Sequence, residues 1–203
     1  MIRFPDPLQF RAAGKGRYRR GDIKMPQISD CNYPKKYEST LRLKNGSEVF
    51  LRPVLPTDGP LLVGLFDRLS EQSLYLRFLR HIRALPEDML RRFTQIDYDS
   101  EFALAVVIEE DGKYSIIAVG RYAFDPAEKI ADIAVAVRDD WQNLGIGRAI
   151  LARTIAAGKE HGYSRFGSMM DPRNTAIKKI LADLGLRVKF SPKSGFFQVD
   201  ISA

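Results

Sequence analysis

The residue types that point most directly to chemistry are two closely spaced glycines, Gly145 and Gly147, and a carboxylate upstream of them, Asp132. The glycines lie where a short apolar segment gives way to apolar residues at helical spacing. Glycine lets the backbone approach a ligand closely, and the amides of a helix's first turn have no acceptor within the helix. Such a helix end favours anions, especially phosphates. Asp132 could supply proton-transfer chemistry to the ligand bound there.

The spacing of these glycines excludes two well-known phosphate loops. There is no third glycine in the dinucleotide-binding spacing, and no Lys-Ser or Lys-Thr pair follows the loop. The segment Gln142-x-x-Gly145-x-Gly147 instead resembles the pyrophosphate-binding signature of the GNAT family of N-acetyltransferases. That resemblance implies that the loop amides hold the pyrophosphate of acetyl-CoA. An ordinary glycine-containing turn between a strand and a helix is the alternative for this pattern alone.

The elements around the loop predict one mixed sheet covered by helices. Residues 133–137 are continuously apolar, which is typical of a strand buried on both faces, and residues 146–155 have the period of an amphipathic helix. Along the chain, turn and capping residues predict a strand hairpin, several helices, three strands, a helix, a strand, a helix and two strands. This order predicts an α/β (α+β) domain with one mixed sheet of about six to seven strands. The order also resembles that of the GNAT family, which implies a GNAT-like fold.

A closer resemblance appears outside the glycine loop. The motifs Tyr33-Pro34, Leu51-Arg52-Pro53, Ser70-x-x-Ser73-x-Tyr75-x-Arg77-Phe78 and Asp97-Tyr98-Asp99 look like the catalytic domain of the bacterial Pat-type protein-lysine acetyltransferases. The resemblance extends from Pro34 to the C-terminus. It implies acetyl-CoA as co-substrate and the side-chain amine of a protein lysine as acceptor.

The resemblance also assigns candidate cofactor contacts. The set consists of strand residues next to the acyl group, the loop itself and a downstream asparagine: Val135, Ala136, Val137, Gln142, Asn143, Leu144, Gly145, Ile146, Gly147, Arg148 and Asn174. One of the strand amides could donate a hydrogen bond to the oxyanion. Asn174 could equally cap a short helix. Arg138 and Arg148 flank the loop, either as phosphate contacts or as solvated surface residues.

Two departures from the family's pattern bear on catalysis. Asp132 stands where the family usually has a glutamate general base, and its shorter side chain could act through a bridging water. Leu181 stands where many members carry a tyrosine that protonates the leaving thiolate. The alternative for Asp132 is a strand-edge residue that pairs with Lys129 or Arg121.

An acidic cluster of Asp97, Asp99 and Glu101 precedes a buried strand and is the candidate acceptor-binding site. It lies near helices that resemble the acceptor side of the Pat-type enzymes, and its charge would attract an incoming lysine. Turn formation and helix capping are the alternative roles of these residues.

Charge is concentrated at the N-terminus. Residues 1–40 contain nine Lys or Arg against four Asp or Glu, so they carry +5 of the net charge of +7. We therefore divide the chain into a basic, mobile extension, residues 1–39, and an N-acetyltransferase domain, residues 40–203. The motif Arg17-Tyr18-Arg19-Arg20 could suggest nucleic acid, but we do not expect such a partner; the extension could also dock an acidic protein.

Composition constrains the compartment. The single cysteine, Cys31, excludes an internal disulfide framework, and no apolar run is long enough to span a bilayer. We expect a cytoplasmic protein without a membrane segment. The two histidines, His81 and His161, stand apart in the sequence, and no metal site is indicated.

The sequence thus favours an acetyl-CoA-dependent N-acetyltransferase that uses a carboxylate base and acts on protein lysine. A small-molecule amine acetyltransferase is the enzymatic alternative, because neither fold nor loop determines the acceptor. A non-catalytic acyl-CoA-binding regulatory module is the alternative of another class, supported by the departures at Asp132 and Leu181.

Overall fold

The computed structural model describes residues 32–202. Eight strands form one sheet in the order β1-β2-β3-β4-β5-β6-β8-β7. The strands are β1 Ser39–Arg42, β2 Glu48–Pro53, β3 Glu101–Glu110, β4 Lys113–Asp125, β5 Ile130–Val137, β6 Arg165–Met170, β7 Arg187–Lys193 and β8 Phe196–Ser202. The helices are α1 Gly59–Asp67, α2 Glu71–Phe78, α3 Glu87–Thr94, α4 Ile146–Glu160 and α5 Thr175–Asp183.

The order of elements confirms the predicted mixed α/β architecture. The sheet has more strands than the expected six to seven because the hairpins at both edges, β1–β2 and β7–β8, join the same sheet as the central strands. The turn of the first hairpin, at Asn45 and Gly46, has Gly46 at a positive φ of 83°, as its sequence predicts.

Two apolar cores lie on opposite faces of the sheet. One face packs against α4 and α5, with side chains such as Phe102, Ile150 and Leu151 in its centre. The other face packs against α1 and α3 through a smaller group that includes Leu65 and Ala105. Because the central strands are covered on both faces, they consist of nearly continuous apolar residues.

The strands β5 and β6 separate soon after they begin. They are the parallel pair in a sheet whose other neighbours are antiparallel, and their register contains two partners, Ala131 with Phe166 and Asp132 with Gly167. Beyond Asp132, no strand within residues 32–202 pairs with the edge of β5 that faces β6. The crossover helix α4, which connects the two strands, begins at the far end of this opening.

The motif residue Arg52 has a structural role. Its guanidinium donates two hydrogen bonds to the carboxylate of Asp58, at 2.6 and 2.7 Å, and both side chains are buried. Asp58 also accepts from the amide of Leu55, so the pair fixes the turn that leads into α1. Removing one partner of such a buried pair costs about 3–5 kcal/mol.

Residues 32–38, which the sequence assigned to the N-terminal extension, pack against the domain. The short 3-10 helix Lys35–Tyr37 places the ring of Tyr37 4.8 Å from that of Phe102, and the Tyr37 hydroxyl donates to Glu160 at 2.9 Å. The basic motif at residues 17–20 and Cys31 lie outside the described residues. Among residues 32–202, no helix has both the length and the apolar character needed to cross a membrane.

Candidate active site

A groove of about 500 Å³ fills the opening between β5 and β6. The end of α2 and the two residues after it, Leu76 to Arg80, line one side of it, and α5 lines the other with Ile177 and Leu181. Asp132 stands at the last position where β5 and β6 are paired. The groove therefore has a carboxylate at its base and runs along the unpaired edge of β5 towards the start of α4.

Beyond the residues that line the groove, β5 continues to Val137 and leads through the glycine loop to the N-terminus of α4. Gly145 precedes the helix with a φ of 93°, and the first helical hydrogen bond runs from the Ala149 amide to the Gly145 carbonyl at 3.1 Å. The amides of Ile146, Gly147 and Arg148 therefore have no carbonyl within the helix to bond. Three adjacent amides at the positive end of a helix dipole form a site for an anion such as a phosphate.

Gly147 lies in a tightly packed position at this end. A Cβ atom there would lie 3.3 Å from the Cδ1 of Ile180 and 3.6 Å from a methyl group of Val137. The site is thus tight between the loop, β5 and α5, and even a small side chain would press on its neighbours.

The side chains of the loop serve mainly to hold its shape. Gln142 donates to the Val137 carbonyl at 3.0 Å and to the Ser73 hydroxyl at 3.2 Å. Asn143 adopts a left-handed φ of 62°. Arg148 donates to the carbonyl of Asp183 on α5 at 3.2 Å. Ligand contact at this end consequently falls to backbone amides more than to these side chains.

Arg138, considered above as a phosphate contact or a surface residue, is neither. It is buried, and it forms ion pairs with Glu110 at 2.6 Å and Asp140 at 2.7 Å. Its hydrogen bonds lower the pKa of Glu110 to about 2, with Arg68 adding to the effect. The cation at the loop that the sequence did not indicate is Lys44, whose amide donates to the Leu144 carbonyl and whose side chain lies 3.7 Å from the position of a Cβ on Gly145.

Asp139 connects this loop to α2. One carboxylate accepts from the Ser70 amide at 2.8 Å, the Ser70 hydroxyl at 2.8 Å and the Ser73 hydroxyl at 2.7 Å. Desolvation acts to raise the pKa of Asp139, but these hydrogen bonds outweigh it and hold the pKa below its usual value. The Ser70-x-x-Ser73 motif thus connects the start of α2 to the glycine loop through hydrogen bonds.

The rest of that motif turns α2 towards the groove. The Tyr75 ring lies 6.0 Å from the guanidinium carbon of Arg173, which pairs with Asp171 in the loop after β6. Phe78 packs beside Phe66 of α1, with 6.2 Å between ring centres. Between these anchors, Arg77 lines the groove. Helix α2 therefore spans from the glycine loop to the loop after β6, along one side of the opening.

The electrostatics of Asp132 suit a base. Burial among the surrounding elements raises the pKa of its carboxyl group, although Arg77 and Arg121 act in the opposite direction. The side chain remains accessible from the groove. The predicted alternative partner Arg121 pairs instead with Glu101, at 3.1 Å. Asp132 is thus open to a ligand while its charged form is disfavoured.

The predicted strand contacts lie along the edge of the opening. Val135 lines the groove, Ala136 lines a second, smaller cavity on the side of α1, and Val137 stands next to Gly147. Asn174 lines the groove, and its side chain accepts from the Ile177 amide at 3.2 Å, so it caps α5, which is one of its two predicted roles. Leu181 is a buried wall residue of the groove.

The acidic cluster has separate roles for its members. Asp97 forms a turn, accepting from the amides of Asp99 and Glu101 and from the Ser100 hydroxyl. Glu101 shares a row of the sheet with Asp132, through Ala123 on the strand between them. The carboxylate of Asp99 is exposed at the surface. None of the three residues lines the groove.

Comparisons with known proteins agree with this geometry. The model of the Acetyltransferase (GNAT) family matches residues 71–185. The chain is 27% identical to an acetyltransferase of Pseudomonas aeruginosa, over 70% of this chain and 77% of that protein. It is 29% identical to the acetyltransferase Pat of Mycolicibacterium smegmatis, over 71% of this chain but 43% of that longer protein.

Among solved structures, the GNAT domain of the S. lividans PAT protein is similar in both sequence and shape. It is 28% identical, the TM-score is 0.75, and the match covers 84% of this chain and 99% of that domain. The chain belongs to the GNAT family of acetyltransferases.

Proposed function

We propose that this acetyltransferase transfers an acetyl group from acetyl-CoA to the side-chain amine of a protein lysine, with Asp132 as general base. The observation that carries the proposal is the arrangement along β5: an accessible carboxylate with a raised pKa lies in the groove beside the strand, and the N-terminal amides of α4 follow the end of the same strand. The motifs that resemble the Pat-type protein-lysine acetyltransferases, together with the likeness to relatives named Pat and PAT, support the lysine acceptor.

The donor would be held mainly by backbone groups. The amides of Ile146, Gly147 and Arg148 would bind the pyrophosphate, and the Lys44 side chain would add a positive charge beside it. The amide groups of the pantetheine arm could bond to the unpaired edge of β5. This arrangement brings the thioester towards Asp132, where a backbone amide of residues 135–137 would donate to the carbonyl oxygen as it becomes negative.

The acceptor must lose a proton before it can attack. A lysine ammonium with a pKa near 10.4 costs about 4.6 kcal/mol to deprotonate at pH 7. Asp132 would take this proton, directly or through a water molecule, and its raised pKa brings it closer to the pH at which a base is most effective. The amine then attacks the thioester carbon, the C–N bond forms, and the C–S bond breaks.

The leaving thiolate needs no dedicated acid in this arrangement. Leu181 occupies the groove wall where many relatives have a tyrosine, so the thiolate would take its proton from solvent. A thiolate with a pKa near 8.5 is a good leaving group, which makes this path chemically adequate. The departure at Leu181 therefore agrees with an active enzyme.

Mass spectrometry can test the proposal. A cell lysate incubated with the protein and isotopically labelled acetyl-CoA should gain label on lysine side chains of particular proteins. Asp132→Asn should remove most of that label while calorimetry shows unchanged coenzyme A affinity. Label that appears on small amines rather than on protein would contradict the lysine acceptor, and label that is equal with Asp132→Asn would contradict the assigned base.

A further inference from the structure

Arg77 is a charged group that has no contact with the donor or the acceptor in the proposed acetyl transfer. It projects from α2 into the groove wall, and its guanidinium donates no hydrogen bond to any other group within residues 32–202. It stacks instead on aromatic rings, with its guanidinium carbon 4.8 Å from the centre of Phe78 and 5.9 Å from that of Phe93. An arginine presents five N–H donors in a planar fork, so these donors are available to a ligand.

A second cavity lies on the other side of Arg77. It encloses about 50 Å³ between the sheet and helices α1 to α3, and its walls are apolar apart from Arg77 and Arg121. It shares Arg77, Phe78 and Ala134 with the main groove. Ala134 is two residues beyond Asp132 on the same strand, so this side pocket adjoins the acyl end of the groove rather than the phosphate end.

The charges around the side pocket are unbalanced towards the positive. Arg121 lies 4.5 Å from the centre of the Phe93 ring, which places both guanidiniums around one aromatic side chain. Arg121 makes one contact with Glu101, and Asp132 acts on both cations from a distance. Burial and repulsion from Arg121 lower the pKa of Arg77 to about 10. A bound anion would relieve this repulsion.

We infer that the side pocket receives a carboxylate at the end of a short acyl chain, so that the donors include monothioesters of dicarboxylic acids such as succinyl-CoA. This inference rests on the proposed function. A cavity of 50 Å³ holds about four water-sized groups, and a succinyl group exceeds acetyl by one methylene and one carboxylate. The methylene would contact the apolar walls, and the carboxylate would accept from the fork of Arg77.

The chemistry of transfer is unchanged by the longer chain. The acyl C–S bond breaks, the C–N bond to the lysine forms, and the ammonium proton passes to Asp132. The second proton that the nitrogen loses as the amide forms is released to solvent, and the thiolate takes a proton from solvent. The terminal carboxylate remains on the product. The modified lysine would thereby change from a positive to a negative charge, whereas acetylation makes it neutral.

The test compares succinyl-CoA with butyryl-CoA, which has the same chain length but no carboxylate. The ratio of their kcat/KM values is measured for the parent and for Arg77→Met, which has a similar apolar stem. The ratio should fall about 10- to 100-fold in Arg77→Met. The ratio for Arg77→Lys should lie between those of the parent and Arg77→Met, because lysine keeps the charge but not the planar fork of donors. Arg83→Met, at an exposed position, is the matched control and should keep the parent ratio.

The ratio is internal to each variant, so a partly unfolded variant does not distort it. An equal ratio in the parent and Arg77→Met, with acetyl transfer intact, would overturn this inference but leave the proposed function standing. The inference would also be overturned if the only effect of Arg77→Met is weaker binding of acceptor peptides that carry a carboxylate beside the lysine. If no acyl group is transferred at all, the proposed function fails. The inference is then decided by calorimetry, which compares the affinities for the thioether analogues of succinyl-CoA and butyryl-CoA in the parent and in Arg77→Met.

Discussion

The site has two ends, the α4 end at the N-terminus of α4 and the Asp132 end in the groove, and they offer a ligand different kinds of groups. At the α4 end, the side chains of Gln142 and Asp139 bond to other parts of the protein, and the free groups are backbone amides. At the Asp132 end the backbone is paired with β4 and β6, and the free groups are the charged side chains of Asp132 and Arg77. One end is suited to a fixed anion, and the other to the movement of protons and the selection of substrates.

This difference has a physical basis. A phosphate keeps its charge throughout the reaction, so rigid amides with no side-chain entropy to lose can bind it well. A reacting amine and thioester change charge during the reaction, so the groups around them must be able to change protonation or to compensate charge. Substitutions should consequently separate binding from turnover according to the end of the site that they alter.

Asp132→Asn should have the largest effect. It keeps the volume of the side chain and removes the base, so turnover should fall about 10²- to 10⁴-fold while coenzyme A affinity holds. Asp132→Glu should retain activity, since it restores the residue usual in the family. Asp67→Asn, at an exposed helix end, is the control for loss of a carboxylate. Parent activity in Asp132→Asn across pH 6 to 9 would mean that another group deprotonates the amine.

Gly147→Glu should have the opposite effect, because it should reduce coenzyme A binding rather than remove the catalytic base. The new side chain would press on Ile180 and bring a negative charge against the phosphates, so coenzyme A affinity should fall about 100-fold or more. Calorimetry measures the affinity, and circular dichroism checks the fold. Gly64→Glu adds the same group on α1, where a Cβ meets nothing within 4 Å, and should bind normally. Unchanged affinity in Gly147→Glu would place the phosphates elsewhere.

Ser73→Ala tests whether the two ends are mechanically joined. The serine hydroxyl donates to Asp139 and accepts from Gln142, so its loss should cost about 1 kcal/mol of the free energy of unfolding. Because it loosens both the loop and α2, coenzyme A affinity and turnover should decline together by a few-fold. Ser164→Ala, at an exposed site, should change neither. A decline in affinity without a decline in turnover, or the reverse, would show that the Ser73 contacts do not join the two ends.

The pH dependence of turnover tests the coupling of Arg77 to Asp132. Arg77 lowers the pKa of Asp132 against the larger, opposite effect of burial. Removing the cation in Arg77→Met should therefore raise the pKa of Asp132 further, and the acid limb of the kcat/KM profile should move to higher pH. Arg77→Lys should restore much of the parent profile, since it keeps the charge. A profile that stays in place would show that Asp132 does not control the acid limb.

The sequence predicted the α4 end more completely than the Asp132 end. Gly145 and Gly147 could be recognised because a close approach of backbone to ligand requires glycine at fixed spacing, and strand–helix alternation is visible in local periodicity. The fold class followed from the same local patterns. The strand number was underestimated, because local patterns do not tell whether an edge hairpin joins the main sheet.

The charged surroundings of Asp132 could not be read from the sequence in the same way. Arg77, Arg121 and Phe93 come from α2, β4 and α3, and their proximity depends on the crossing of three elements over the sheet. The motif around Ser73 signalled that α2 matters but not how. Lys44 was missed for a similar reason, since a lysine beside a hairpin turn looks like an ordinary surface residue until the hairpin is placed against Leu144.

Asp99→Asn should have the smallest effect of these substitutions. It tests whether acceptor binding at the Asp132 end extends beyond the groove to the acidic cluster. Its carboxylate is exposed, whereas that of Asp97 holds a turn, so neutralising Asp99 alters charge with little effect on structure. The Michaelis constant for a lysine peptide should rise about two- to fivefold at low salt, and the difference should disappear at high salt because exposed charges are screened. Coenzyme A affinity should not change. Asp97→Asn is the instructive contrast: it should lower the melting temperature as well, since the turn loses its charged acceptor. An unchanged Michaelis constant in Asp99→Asn would limit the acceptor site to the groove itself and leave the acidic cluster as turn structure.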